Sequence, residues 1–283
     1  MSDPYLVVVS ELDPVARRVA ERWGTPEATG DHVDGAPIRR LSERALLLKR
    51  TVAHITDEQL DQRLPERLRE AGTTLVFPSI HRSERNVECL TVHPLGNPGP
   101  TAEVGGRPRT FVPADARRMA SALRRLHEDR AGHERPVTFE ATHHGPALGL
   151  PAMFIEIGYG SLEAPPAPAV DALARTIPSL EPDDRDRIAL AVGGGHYAPH
   201  FTDLALKRQW AFGHILSRHA LDGLDGETAR DAYLATPGAD GFVAARAEDA
   251  GLPAIARLGA RRKDHDAPPR GARRPPTADA SGT

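Results

Sequence analysis

The sequence predicts an α/β fold with a mostly parallel sheet covered by helices on both faces. Three observations carry this. Short apolar runs of strand length, Tyr5–Ser10, Ala45–Lys49 and Thr73–Phe77, alternate with helical stretches. Alternation of this kind needs crossovers, and right-handed crossovers place helices over the sheet. Hydrophobic residues make up 40% of the chain, enough for a sizeable core. At 283 residues, one large domain or two small ones are both open on length alone.

In chain order, Tyr5–Ser10 is a buried strand by its length and valine content. Asp13 caps the helix that follows, with Pro14 at its first position and Gly24 at its end. Residues 25–44 are polar and Gly/Pro-bearing, and read as a loop. Ala45–Lys49 is a strand, Asp57–Glu70 a helix kinked at Pro65, and Thr73–Phe77 a strand. Ser79, His81, Arg82, Ser83 and Arg85 form a polar, basic loop at the carboxyl end of that strand, the edge where parallel sheets bind ligands. Cys89–Val92 is a short strand ending at His93. Residues 98–112 form a Gly/Pro/Arg loop.

Pro113–Arg130 is the best-patterned helix, with Ala116, Met119, Leu123 and Leu126 as its apolar stripe. Arg117, Arg118, Arg124 and Arg125 lie opposite, either as a solvated charged face or as a ridge for phosphates. Further on, Ala169–Ile177 reads as a helix, Ile188–Val192 as a strand and Thr202–Lys207 as short and mixed. Gln209–His219 reads as a helix carrying His214. Glu227–Leu234 and Ala247–Leu258 read as helices, with a short strand at Phe242-Val243 between them. From Arg261 to Thr283 the chain is an Arg/Pro-rich tail without apolar periodicity, expected to be disordered.

Charge and cysteine content narrow the function classes. Net charge is −3, but six of the 36 basic and only three of the 39 acidic residues fall in Arg261–Thr283, leaving −6 on the rest. Global charge therefore gives no sign of nucleic-acid binding, and any such role needs a local basic patch. One cysteine, Cys89, excludes an intrachain disulfide and a cysteine-rich zinc module. A metal, if bound, is held by histidine and carboxylate. No 18-residue apolar run occurs, and the first residues are too short and acidic for a signal peptide. The expectation is a soluble, cytoplasmic protein.

The chemistry gathers in Val137–Gly158. Two strand-like runs, Val137–Thr142 and Ala152–Ile157, flank a turn opening with His143-His144-Gly145-Pro146. Glu140, His143, His144 and Glu156 lie in or beside these runs, and buried carboxylates need donors, a cation or a metal. On an ideal strand Glu140, Thr142 and His144 share one face and His143 the other, so both histidines reach one metal only if the strand has ended by Thr142. Glu156 shares a face with Phe154; it is either a structural carboxylate or a site residue. A second cluster, Gly193-Gly194-Gly195-His196-Tyr197, follows another strand, and its glycines let backbone N–H groups approach an anion. Both clusters read as one site at the ends of neighbouring strands.

Taken in order, LTVHPLGNP (Leu90–Pro98), FEATHHGP (Phe139–Pro146), MFIEIG (Met153–Gly158), GGGHYAP (Gly193–Pro199) and FGHI (Phe212–Ile215) resemble the archaeal-type D-aminoacyl-tRNA deacylases, a family with plant members. The resemblance covers roughly Tyr5 to Leu258. It implies a single phosphorylase/hydrolase-like α/β domain over residues 1–260, with a sheet similar to that of peptidyl-tRNA hydrolase. It also implies a zinc-dependent hydrolase that cleaves the ester between a D-amino acid and tRNA, in translation quality control.

The resemblance does not assign the ligands; from the residues themselves His93, His143 and His196 are the candidate metal ligands, leaving one open position. His144, Glu140 and Glu156 are the candidate acid/base or orienting groups. Lys49, His81, Arg82, Ser83, Gly193, Gly194, Gly195 and Tyr197 are the candidate substrate contacts, with Arg85 and the arginine ridge meeting tRNA phosphates. The expected partner of a monomer is D-aminoacyl-tRNA, with no DNA and no membrane. Two alternatives stand beside this reading. One is a metal-dependent peptidase or amidohydrolase acting on a small amide; the other is a non-catalytic tRNA- or nucleotide-binding module.

Overall fold

A computed structural model describes residues 4–82, 87–129, 134–160 and 162–263. In chain order its strands are β1 (Tyr5–Ser10), β2 (Ala28–Val33), β3 (Ala36–Arg40), β4 (Ala45–Arg50), β5 (Thr74–Ile80), β6 (Glu88–His93) and β7 (Gly96–Asn97). They continue with β8 (Thr110–Phe111), β9 (Val137–Phe139), β10 (Ala152–Tyr159), β11 (Arg187–Val192), β12 (Trp210–Leu216) and β13 (Phe242–Ala244). The main sheet has eight strands in the order β2-β3-β4-β1-β5-β10-β6-β9. Its centre, β4-β1-β5-β10, is parallel, while β2, β3 and the β10-β6 pair bring antiparallel contacts. A second, all-parallel sheet has the order β12-β11-β13.

The two faces of the main sheet have different duties. Tyr5, Val7, Val76, Met153, Ile155 and Val92 point one way into the larger core. The helices Pro14–Glu21, Ala116–Glu128 and Ala167–Thr176 cover that face. On the other face, Leu6, Val8, Leu75, Phe77 and Phe154 form a smaller core. Burying each such side chain contributes about 1.5–3 kcal/mol, so neither layer is dispensable. Towards the carboxyl ends of β1, β5 and β10 this second face turns polar, with Ser10, Ser79 and Glu156 continuing the rows of Val8, Phe77 and Phe154.

A short segment joins the two sheets. Strand β9 ends at Phe139, and the next residues leave the ladder to bridge across. The Ala141 N–H donates to His196 O (2.8 Å), the Ala198 N–H to Phe139 O (3.0 Å), and the Thr142 N–H to Ile215 O (2.9 Å). Thus Val137–Thr142 is not one strand. The Glu140 N–H still donates to Val92 O of β6 (3.1 Å), and pairing ends there because the Ala141 and Thr142 N–H groups turn to His196 and to Ile215 of β12. The turn continues at His144, which adopts φ 43°.

Several elements differ from their sequence reading. Residues 25–44 hold the β2-β3 hairpin, not a loop; it turns at Asp34-Gly35 and tolerates Gly30 and Pro37 within its two outer strands. Asp57–Glu70 is not one helix; Pro65 forces it into a 3-10 turn at Leu60–Arg63 and a helix at Glu66–Glu70. Pro199–Lys207 is a helix. Gln209–His219 is not a helix, since Trp210–Leu216 is a fully buried strand. A seven-residue apolar run fits a buried helix or a core strand equally, and its Trp, Phe and Ile fit the strand. Ala247–Leu258 is interrupted at Gly251 and Pro253 into two four-residue helices.

Three of the four ridge arginines are spent on acidic side chains of this chain. Arg124 binds Asp186 through two bonds (2.7 and 2.8 Å), Arg117 binds Asp184 (2.9 Å), and buried Arg118 pairs with Asp115 while lying 4.5 Å over the Tyr5 ring. Ordered chain runs past residue 260. The Lys263 N–H donates to Phe242 O (2.8 Å), and the Lys263 ammonium meets Asp240 (2.9 Å). Residues 264–283 lie outside the described residues, so the expected tail is seen only through its first three positions. Among the described residues, no helix is long and apolar enough to cross a membrane.

Candidate active site

The polar end of the second sheet face and the bridging segment meet at a cavity of about 650 Å³. His81, His143, His144 and Glu156 line it, with Glu140, His93 and His196 packed around them. Sequence reasoning scattered these residues over four motifs and the loop that holds His81, and the structure gathers all seven.

His93 ends β6 directly beside Phe154 of β10, and its ring stacks on that phenylalanine at 5.2 Å. The His143 ring lies 4.0 Å from His93, and the His144 ring 5.0 Å from it. All three histidines use their Nδ1 in the same way. The Nδ1–H of His93 donates to Pro94 O (3.1 Å), that of His143 to Ala141 O (2.8 Å), and that of His144 to Gly145 O (2.7 Å). A carbonyl only accepts, so each Nδ1 carries the hydrogen and each Nε2 presents a bare lone pair. No described residue donates a hydrogen bond to any of these three Nε2 atoms.

The carboxylates repeat the pattern of unmet demand. Glu140 is completely buried, yet neither of its oxygens has a hydrogen-bond partner. His81 Nδ1 lies 3.0 Å from Glu140 Oε1, but its one hydrogen serves Glu156 Oε2 at 3.2 Å. His143 Nε2 and His196 Nε2 each stand 3.7 Å from Glu140 Oε2. At 3.6 Å, His93 Nε2 neighbours Glu156 Oε1 without reaching hydrogen-bond range. Lone pairs facing carboxylate oxygens repel unless a proton or a cation lies between them.

The electrostatics follow. Burial, reinforced by the charge of Glu156, pushes the Glu140 carboxyl well above the usual range. Burial would raise Glu156 too, but hydrogen bonding from His81 and the nearby His93 and His144 outweigh it and hold Glu156 low. Desolvation, then the neighbouring histidines, push His143 well down, and the same causes bring His144 to about 4. Burial likewise lowers His196. At neutral pH His143, His144 and His196 are therefore neutral, the state a metal requires.

The donor set fits a divalent ion. Ligand-range groupings are His93-His143-His144, His81-Glu140-His196 and His93-Glu140-Glu156. Ligating histidines generally donate their other N–H to a carbonyl or carboxylate, as these do. The expected trio of His93, His143 and His196 is divided between two groupings, and His144, expected as an acid or base, joins His93 and His143.

The expected substrate contacts are spread more widely. His81 and Arg82 line the cavity, and exposed Arg82 makes no ion pair with a described residue. The Tyr197 hydroxyl meets His81 Nε2 at 2.9 Å. Lys49 is exposed on β4 and does not line the cavity. Gly193, Gly194 and Gly195 do not line it either. The Gly193 N–H is spent on Leu216 O (2.8 Å), and a Cβ there would collide with the Asp249 carboxylate, which explains the glycine without an anion. Ser83 and Arg85 lie outside the described residues.

Sequence reasoning missed His54 and the second role of Asp13. His54 Nε2 accepts from the Ser10 N–H (2.8 Å), and its ring packs edge-on to Phe77 and Phe154 beneath the cavity. Asp13 caps its helix and also accepts from the Ser79 hydroxyl (2.8 Å) and the Ile80 N–H (3.0 Å), tying β1 to β5. A lone histidine in a turn carries no sequence signal, and a capping aspartate gives only half of its role.

Fold and site together define an α/β protein with a buried histidine–carboxylate centre at the seam of two sheets. Residues 68–252 match the family model described as D-aminoacyl-tRNA deacylase. Relatives named D-aminoacyl-tRNA deacylase include one from Thermoplasma acidophilum, 42% identical over 171 residues that cover 60% of this chain and 66% of the relative. One from Pyrococcus abyssi is 34% identical over 73% of this chain and 76% of its own length. One from Haloarcula marismortui is 33% identical over 81% of this chain, and the match spans 53% of that relative. This chain thus spans about two thirds of the Thermoplasma protein's length and about half of the Haloarcula protein's. A crystal structure of a conserved protein of unknown function shares the fold, with TM-score 0.76, 23% identity and coverage of 93% of this chain and 95% of that one. The chain belongs to the D-aminoacyl-tRNA deacylase family.

Proposed function

We propose that this protein hydrolyses the ester between a D-amino acid and tRNA, releasing the free amino acid in the cytoplasm, and that its centre uses zinc or a related divalent ion. The observation that carries the reading is the set of three bare Nε2 lone pairs gathered with two buried carboxylates at one cavity, whose wall His143, His144 and Glu156 form and behind which His93 and Glu140 pack. That the relatives are named for D-aminoacyl-tRNA favours the tRNA ester over a small amide.

His93, His143 and His144 would hold the ion through Nε2. When bound, it supplies Lewis acidity to the reacting carbonyl or water. Glu156, ionised and in the cavity wall, accepts the proton of the attacking water as its oxygen bonds the ester carbon. The carbon–oxygen bond to ribose then breaks, and the proton passes from Glu156 to the ribose oxygen. His81 orients Glu156 through Nδ1 and is itself held by Tyr197. Arg82, the one Lys or Arg among the described residues of the cavity wall, meets the phosphate next to the terminal ribose.

Release of amino acid from matched D- and L-aminoacyl-tRNA, with metal-stripped and zinc-reconstituted protein, tests this. D-selective release restored by zinc is the expected result. D-selective release indifferent to metal would remove the ion and keep the reaction, and no release from either ester would reject the reaction.

A further inference from the structure

The cavity has a second character besides its histidines. Leu12 is 66% exposed and Val104 is 48% exposed, and both line it together with half-buried Ile55. Single exposed apolar side chains need no explanation, but three converging on one cavity do.

Their backbones are pinned. The Leu12 N–H donates to Ser10 Oγ (3.2 Å), and the next residue, Asp13, accepts four hydrogen bonds. Val104 is tied through its own carbonyl and through the two residues after it. Its carbonyl accepts from the Gly145 N–H (3.1 Å), and the Gly106 N–H donates to Glu58 Oε1 (2.7 Å), whose other oxygen accepts from Ala147 N (2.6 Å). The Gly105 carbonyl accepts from Asn97 Nδ2 (2.9 Å). Val104 is thus bonded to the residue directly after His144. The apolar wall is built onto the turn that carries the centre.

We propose that Leu12, Ile55 and Val104 receive the side chain of the aminoacyl group, so that the site prefers esters of apolar and aromatic amino acids over acidic ones. This rests on the deacylase reading above. Geometry and charge assign the wall to the amino acid. An amino-acid side chain branches from the atom next to the reacting carbonyl, so it must lie close to the histidines, where Val104 is anchored. The nucleotide continues from the ester oxygen and carries phosphate, which matches Arg82 and gains nothing from an apolar wall.

The test compares kcat/KM for D-phenylalanyl-tRNA and D-aspartyl-tRNA in the full chain, in Val104→Thr, in Leu12→Ser and in the double variant. Both positions are exposed, so the fold tolerates the changes. The wild type is expected to prefer the phenylalanyl ester, and each variant to reduce that preference about tenfold. An equal loss on both esters would give the wall to the nucleotide, and an unchanged ratio would make its exposure incidental; either overturns the proposal. If the wild type cleaves neither ester, the reaction is wrong, and calorimetric binding judges the wall separately. Tighter binding of D-phenylalaninamide than of D-aspartate α-amide, weakened in Val104→Thr, upholds the wall, and equal binding overturns it.

Discussion

Two groups of buried histidines lie close together in this molecule and do opposite things. His214, on the small sheet, has both ring nitrogens occupied. Its Nε2–H donates to Val112 O (2.9 Å), and its Nδ1 accepts from the Thr142 hydroxyl (3.1 Å), which itself accepts from the Ile215 N–H (3.0 Å). His93, His143 and His144 fill one nitrogen from the backbone and leave the other open. His214, His143 and His144 all have depressed basicity, so that property does not distinguish a scaffold from a centre. The second nitrogen does.

The sharpest way to break this comparison is to exchange the roles. His143→Ala or Glu156→Gln is expected to lower deacylation by about 10²–10⁴ while circular dichroism and the melting temperature stay near wild type. His214→Ala is expected to cost about 3 kcal/mol of stability, through two lost hydrogen bonds and a void, while the folded fraction keeps its turnover. Stability loss in His143→Ala alone, or a dead but stable His214→Ala, would reverse the assignment. Zinc content should follow the same division, lost in His143→Ala and retained in His214→Ala, as read by elemental analysis after dialysis.

Acid should expose His214 next. Burial holds its pKa at about 4 against 6.5 when unfolded, so the unfolded chain binds more protons between those values. Stability is therefore unaffected above pH 6.5 and falls as pH drops towards 4, by about 3 kcal/mol from this one group. Glu140, shifted upward, works with the opposite sign from pH 4.5 up to its raised value. Denaturant melts of metal-stripped protein across this range should show a smaller acid loss in His214→Gln than in wild type. An identical loss would mean that His214 is protonated in the fold.

Arginines extend the comparison with the smallest effect. Arg124 is spent on Asp186, whereas Arg82 stands at the cavity with no ion pair to a described residue. Arg82→Ala is expected to raise KM for aminoacyl-tRNA about threefold and to reduce the salt slope of binding by about one. Arg124→Ala should change neither.

What the sequence made legible follows the same division between filled and open groups. Strands β1, β4, β5 and β10 were readable because runs such as YLVVVS and AMFIEI are short, flanked by turn residues and carry β-branched or aromatic side chains, which favours a strand buried on both faces. Strand β12 was not, because Trp210–Leu216 is a short run, apolar apart from Gly213 and His214, that fits a buried helix as readily as a core strand. The chemistry of the centre was visible in Glu140, His143, His144 and Glu156, since ionisable groups among apolar runs require partners. Their division into groupings was not visible. It depends on where β9 stops and on which carbonyl each Nδ1 finds, and neither is encoded locally. The arginines of Ala116–Glu128 misled for the same reason: their partners, Asp184 and Asp186, come from more than 60 residues away.

The seam formed by residues 139–142 couples the centre to the folding of the whole chain. Its three backbone bonds to His196, Ala198 and Ile215 mean that the main sheet, formed alone, holds Glu156 and His93 but not the geometry of Glu140 and His143. Catalysis is then a cooperative property, absent from any species with only one sheet in place. The amides of Ala141, Thr142 and Ala198 should exchange with solvent at a single shared rate, and that rate should match the loss of turnover in mild denaturant.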